Sequence, residues 1–496
     1  TFTDAINEEA ASGPFTLDVV GGAADATFNG AIGAAADGTI SSLTVSAANI
    51  EITNIGTATQ DGVTGATSLT ATNANTLDGT NYRTGGTISI DSQAAPTLID
   101  VAASATVNVI TSAGNVTFVD ANGIDLNESD ITLDISTTGT GAGFGNISVG
   151  GPIGATVDAN DDGVINFDAA AATVSVGQIG AITLDDILSV TLVGNAGVTL
   201  DGDITTSATA AGNQVSVTGT ATITADRIIN TSDGNGAIDL DDVTGDTPGT
   251  GRDLTLDAGT GIVTAQTIGT AAGTDAINAT TITGTMINLN GSIFTGEDGA
   301  GNDGNVDING AVILGAATVT IDTSDANGGD AGTVDFSSTI DSDGTSRSLV
   351  VNAPLRAVTF NDVVGTTTDA LSSLDIQNAG AVALGSVDTD GTGGIVIGSA
   401  TPVTQINVGG TLDSTDGDAA VTAGPITLNS LDINLTATLT IDADDDVADG
   451  NIIIGSSTGD PQVDATTAGV EGLNIRSGTG DLTIYADLGQ GSVALG

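Results

Sequence analysis

The chain contains no cysteine, histidine or tryptophan, and all six of its basic residues are arginines, so lysine is missing as well. Each absence removes a class of chemistry. Without cysteine there is no disulfide scaffold and no thiol nucleophile, and without histidine too there is no zinc site of the Cys/His kind. Histidine general bases, lysine Schiff bases, Walker-type phosphate loops and Lys–Asn cross-links fall with them. Phosphate binding needs a basic surface, whereas 62 acidic residues here face six basic ones for a formal charge of −56, so nucleic acid is not an expected partner. Aromatics make up only 2% of the 496 residues, which leaves any large core to be built from aliphatic layers. No apolar run is long enough to span a bilayer, and no membrane insertion is expected. The chain opens on Thr1-Phe2-Thr3 with no basic-then-apolar leader. It is expected to be part of a longer repetitive chain, with any secretion signal outside it.

What is present points to strands and turns. Glutamate occurs only at Glu8, Glu9, Glu51, Glu128, Glu297 and Glu471; every other acid is aspartate. Aspartate beside Gly, Asn and Ser is turn chemistry, because short polar side chains satisfy turn backbone and tolerate left-handed geometry. Abundant Val, Ile and Thr argue against a disordered acidic chain. Period-two alternation dominates, most clearly over 431–442. There Leu431, Ile433, Leu435, Ala437, Leu439 and Ile441 alternate with polar residues, predicting a strand with one buried face. Shorter versions recur at 254–257, 88–90 and 306–308. A helix-like stretch at 3–11 is overruled by internal repetition.

Thr1-Phe-Thr-Asp-Ala-Ile-Asn7 returns as Thr27-Phe-Asn-Gly-Ala-Ile-Gly33 and as Thr359-Phe-Asn-Asp-Val-Val-Gly365. Phe2, Ile6, Leu17, Phe28 and Ile32 correspond in order to Phe336, Ile340, Leu349, Phe360 and Val364. Another copy starts at Thr255-Leu-Asp257 and reaches Ile268-Gly269. A unit repeated with slippage, unable to bury its own face, is the signature of a solenoid. The fold expected is therefore all-β: a parallel β-solenoid running through 1–496 with no internal boundary, of roughly 20 coils at about 25 residues each. The alternative is a string of tandem β-sandwich domains, which would give offsets near multiples of one domain length.

The Thr-Phe-Asn-x-[Ala/Val]-[Ile/Val]-Gly units, with strand-and-turn stretches such as 254–261, resemble bacterial β-strand-repeat surface exoproteins of the filamentous-haemagglutinin-like and autotransporter-passenger-like kinds. That resemblance implies a secreted right-handed parallel β-helix and a role in cell-surface adhesion or matrix structure.

The sharpest local motif is Asp158-Ala-Asn160-Asp-Asp162-Gly-Val164-Ile-Asn166-Phe-Asp168. It resembles the calcium loop of dockerins and EF-hands, in which alternate oxygen ligands wrap a hard cation and glycine permits the sharp turn. The resemblance implies side-chain ligands at Asp158, Asn160 and Asp162, a carbonyl ligand at Val164, a water-bridged position at Asn166 and an acid at Asp168. That last acid comes one place early, and the competing reading is an Asp-rich turn. Looser clusters at Asp442/Asp444/Asp446, Asp239/Asp241/Asp242 and Asp298/Asp303/Asp307 read as solvated turns. Thr-x-Thr triplets such as 318–320 and 436–440 do not recur at a coil period, and outward threonine is ordinary on a strand. No carboxylate pair stands out as a hydrolase pair. The expected protein is a non-enzymatic, extracellular structural solenoid of a surface fibre, sheath or surface layer. It would associate with itself end to end or laterally, with divalent cations as partners. The alternatives are a cell-surface adhesin binding surface polysaccharide and, less favoured, a polysaccharide-degrading β-helix enzyme.

Overall fold

The computed structural model describes residues 1–7, 15–35, 39–119, 121–137, 145–155, 163–180, 187–206, 214–247, 251–271, 277–295, 304–324, 331–366, 368–415, 422–445, 448–467 and 469–489. Among them there is no helix, and so none long and apolar enough to cross a membrane. The protein is a parallel β-solenoid. Each strand pairs in parallel with its counterpart one coil later, with register steps from 18 residues (Leu371 to Thr389) to 34 (Leu439 to Leu473). Antiparallel sandwich pairing is absent from the described strands.

Two compact units divide the chain, Thr1–Asp241 and Asp242–Gly496. In the first, one face stacks Thr16–Val20, Ser42–Ala47, Thr67–Ala71, Ile88–Ser92, Val116–Phe118, Ile147–Val149, Thr173–Val176, Gly197–Leu200 and Ala221–Ile223. A second face runs from Ala26–Phe28 to Ile153–Ala155. A third runs from Asn81–Thr84 through Thr132–Ser136 and Gly163–Asp168 to Ala237–Leu240. In the second unit a comparable face begins at Arg252–Asp257 and ends at Asp487–Leu488. Long strands such as Ser348–Phe360 and Leu371–Leu384 bend through corners and serve two faces.

Alternation explains the layers. In Thr132–Ser136, Leu133 and Ile135 are fully buried while Thr132, Asp134 and Ser136 look outward. Stacked coils place aliphatic side chains one above another, and each fully buried Val, Leu or Ile contributes about 1.5–3 kcal/mol. The sequence repeats mark this stacking directly. Phe2 pairs with Phe28, Ile6 with Ile32 and Leu17 with Leu43, and Ile340 pairs with Val364 and Leu349 with Leu374 in the same way. The rings of Phe2 and Phe28 stack at 4.7 Å, and those of Phe336 and Phe360 at 5.2 Å. Tyr82 is the largest buried side chain, and its hydroxyl donates to the Ile52 carbonyl (2.8 Å) and accepts from the Gly79 N–H (2.8 Å).

The recurring [Ile/Val]-Gly pair marks a tight corner. Gly33 and Gly365 both lie at positive φ (65° and 72°), and a Cβ there would stand 2.0 Å from the Gly62 carbonyl oxygen or 2.2 Å from that of Asp388. Only glycine allows the next coil so near.

The stretch 431–442 departs from the expected single flat face. Ile433, Leu435, Leu439 and Ile441 are buried, but Leu431 and Ala437 are exposed. Register shifts between Val408/Leu435 and Gly410/Leu439, so Gly409 faces three residues, 436–438, and the strand turns from one face to the next there. Ser430 takes the inward place at the start, donating to the Asp432 carbonyl at 2.7 Å.

Candidate functional site

Of the calcium-loop residues, Asp158, Asn160 and Asp162 lie outside the described residues. Val164, Asn166 and Asp168 occupy successive outward positions of strand Gly163–Asp168, where Asn166 is register-paired with Asp134. The Asp168 carboxylate accepts the Ala170 N–H at 2.8 Å, a local turn bond. Burial, and then the charge of Asp168, hold the Asp134 carboxyl above the usual carboxylate range. Among the described residues no group of three or more acids converges to hold a metal.

The looser clusters are not simply turns: Asp239, Asp307 and Asp442 lie on strands Ala237–Leu240, Val306–Leu314 and Ser430–Asp442, and it is Asp241 and Asp242 that hold turn backbone, across coils. Asp241 accepts the Gly219 N–H at 2.7 Å, and Asp242 accepts the Thr267 N–H at 3.0 Å. The same staple joins Asp203 to the Ile228 N–H, Asp253 to Ala279, Asn146 to Thr173 and Asn305 to Thr333. An amide or carboxylate on one coil thus satisfies backbone on another. Asp446, Asp298 and Asp303 lie outside the described residues.

Stacking also puts like charges in line. On one outward row of the second unit Asp388 pairs with Asp413, Asp413 with Asp442, and Asp442 with Arg476. Arg476 closes the row with an ion pair to Asp442 at 3.3 Å. At the other end the Asp388 carboxyl is pushed up to about 6 by its burial, then by Asp413 and Asp390. Asp307 is raised by burial and by Asp335, its register partner on the next coil. Asp432 is raised by burial and Asp464, and Asp78 by burial and Asp100. Where the row carries amides instead, the repulsion becomes a ladder. The Asn352 amide donates to Asp322 (3.0 Å), the Asn378 amide donates to Asn352 (2.8 Å), and the Thr401 hydroxyl donates to Asn378 (2.6 Å).

Sequence reasoning missed the row of Asp388, Asp413, Asp442 and Arg476, although a signal exists. Each member follows an inward apolar residue: Val387, Leu412, Ile441 and Ile475. The spacings of 25, 29 and 34 residues hide it from a fixed-period search.

Arginines neutralise little of this. Arg83, Arg252 and Arg347 each pair with one aspartate, Asp61, Asp246 and Asp343, at 2.8, 3.0 and 2.7 Å. Arg227 spends its guanidinium on the Leu200 and Asp201 carbonyls, and Arg356 donates to the Ala331 carbonyl.

A third recurring device holds the corners. A buried Thr or Ser donates inward to a glycine carbonyl across a loop: Thr84 to Gly86, Thr111 to Gly114, Thr231 to Gly236, Thr137 to Gly145, Thr323 to Gly332 and Ser414 to Gly424. The separations run from 2 to 10 residues, yet the bond is the same.

Chemically, the surface offers carboxylate pairs that would share a proton or a cation, staples between coils, and uncharged hydroxyl rows. Compared with protein-family models, curated proteins and solved structures, the chain matches none.

Proposed function

We propose that this chain is a non-enzymatic structural solenoid of an extracellular fibre, sheath or surface layer, built by end-to-end stacking. The observation that carries the reading is the exposed apolar layer of the last described rung of the second unit. Leu482 and Ile484 are 46% and 37% exposed, whereas Ile452 and Ile454, their partners one coil earlier, are 0% and 1% exposed. Leu488 is likewise exposed above buried Val463. Phe2, stacked on fully buried Phe28 at the other unit's first described rung, is also exposed. A parallel rung with an exposed apolar layer is a template for another rung, supplied by a second copy or by continuation of the same chain. The extracellular setting rests on the likeness to surface exoproteins.

Divalent cations, calcium first, serve in this reading as counterions to the aspartate rows. They relieve repulsion that no nearby arginine cancels at Asp307/Asp335 or Asp388/Asp413. The loop at 158–168 is a further place for calcium.

Electron microscopy and sedimentation of the purified chain, with calcium, with magnesium and with chelator at low salt, test the reading. Fibres or lattices that Leu482→Glu or Ile484→Glu abolishes are expected. A monodisperse monomer in all three conditions refutes it, and isolated rods retained by a glycan array point to an adhesin instead.

A further inference from the structure

The first unit carries one face unlike the rest of this acidic molecule. Its central outward row reads Thr44, Ser68, Ser89, Thr117, Ser148, Ser175, Thr199 and Thr222, a hydroxyl at eight consecutive rungs. Only the rung before it, Asp18, is acidic. The adjoining row is free of acids as well: Ser42 and Ala66 lead to Thr87, Asn115, Asn146, Thr173, Gly197 and Thr220, each joined to the next coil through backbone bonds. Asn115 and Asn146 turn their side-chain oxygens onto the N–H groups of Asn146 and Thr173. On the far side Asp91 and Asp201 stand at the margin, and the Ser175 hydroxyl donates to Asp201 at 3.1 Å.

We propose that this hydroxyl-lined face docks laterally on the same face of a second copy. The inference rests on the structural reading above but names a different surface from the stacking ends. Charge selects the occupant. With a net charge of −56, two copies repel wherever aspartates meet, and this double row lets backbones approach without burying a carboxylate. Hydroxyls both donate and accept, so the row is complementary to itself across a two-fold axis. Short Ser and Thr side chains on stacked parallel strands suit close, dry sheet-to-sheet packing. The area fits a reversible contact. Seven steps of about 4.8 Å by strands averaging about four residues, or about 13 Å, give roughly 440 Å² per copy. The pair buries roughly 900 Å², in the range of weak, transient interfaces.

The test uses the full chain carrying Leu482→Glu, so that end stacking is blocked and only lateral association is read by sedimentation equilibrium. A dimer is expected that tightens as salt screens the flanking acid. Ser89→Asp with Ser148→Asp places four carboxylates in the dimer interface and should raise the dissociation constant at least tenfold. Ser89→Asn with Ser148→Asn should keep the dimer, as should Ser216→Asp on another face of the same unit. Thermal melts establish that each variant is folded. A chain that stays monomeric at every salt concentration, or dimers indifferent to the row variants, overturns the proposal. Monomers that pellet with insoluble polysaccharide through this row also overturn it, and give the face to a glycan. Loss of fibres on Leu482→Glu with lateral dimers intact separates the two readings.

Discussion

Replacing Asp388 by Asn should stabilise the solenoid at pH 8 and leave it nearly unchanged at pH 4. Asp388 is half-buried on an outward row directly below Asp413, and its carboxyl is pushed up to about 6 from 3.8. The folded state therefore holds this proton more tightly than the unfolded chain. Below about pH 4 the group is protonated in both states and contributes no penalty. As pH rises through the interval to 6 the unfolded chain loses its proton first and stability falls; above 6 the whole penalty is present. A rise of that size would be worth about 3 kcal/mol for a fully desolvated group, and solvent screening of a half-exposed one reduces this to about 1–1.5 kcal/mol. Asn is isosteric with the protonated acid and carries no charge, so it should recover about 1 kcal/mol at pH 8. Urea denaturation followed by circular dichroism at pH 4, 5, 6 and 8 measures the difference. A gain equal at all four values, or a loss at pH 8, would refute the account, because burial, reinforced by Asp413 and Asp390, would then not govern this carboxyl.

Gly365→Ala should cost several-fold more than Gly344→Ala, since both lie at positive φ but only Gly365 has a carbonyl within 2.2 Å of the added methyl; the second should lose about 1 kcal/mol by the same urea assay. Thr323→Val leaves the Gly332 carbonyl without its buried donor and should cost about 1–3 kcal/mol, with faster amide exchange next to that corner and not elsewhere. Five of the six arginines lie within strands, and only Arg347 sits just outside one, beside Ser348–Phe360. Trypsin should therefore cut the native chain first after Arg347; rapid cleavage after Arg83 or Arg252 would contradict the pairing that protects them.

The solenoid is legible in the sequence because its clearest copies carry large residues at equivalent inward positions. Phe2 and Phe28, or Phe336 and Phe360, are neighbours in the stack, so the distance between them in sequence is one coil. Binary alternation likewise marks the buried side of Arg252–Asp257 and Val306–Leu314. Corners are not legible: 431–442 alternates without a break, and only the pairing of Gly409 against three residues shows the bend. Rows on the outer surface are hidden for a different reason. Members of the hydroxyl row are separated by 24, 21, 28, 31, 27, 24 and 23 residues, so no fixed period aligns them. Aspartate does serve as turn chemistry, but its backbone partner is often on the next coil, as with Asp203 and Ile228, and local sequence cannot name it.

The corner clasp bears on how such a chain can vary. Because the Thr or Ser hydroxyl meets its glycine carbonyl whether two or ten residues separate them, added or deleted residues are absorbed outside the bond. The frame of stacked strands keeps its register while the outline at that corner changes. Insertions and deletions, which ordinarily shift everything downstream, become local and nearly silent there. The clasped corners between Thr231 and Gly236 and between Ser414 and Gly424 are accordingly places to graft a foreign peptide onto the solenoid and leave its coils as they are.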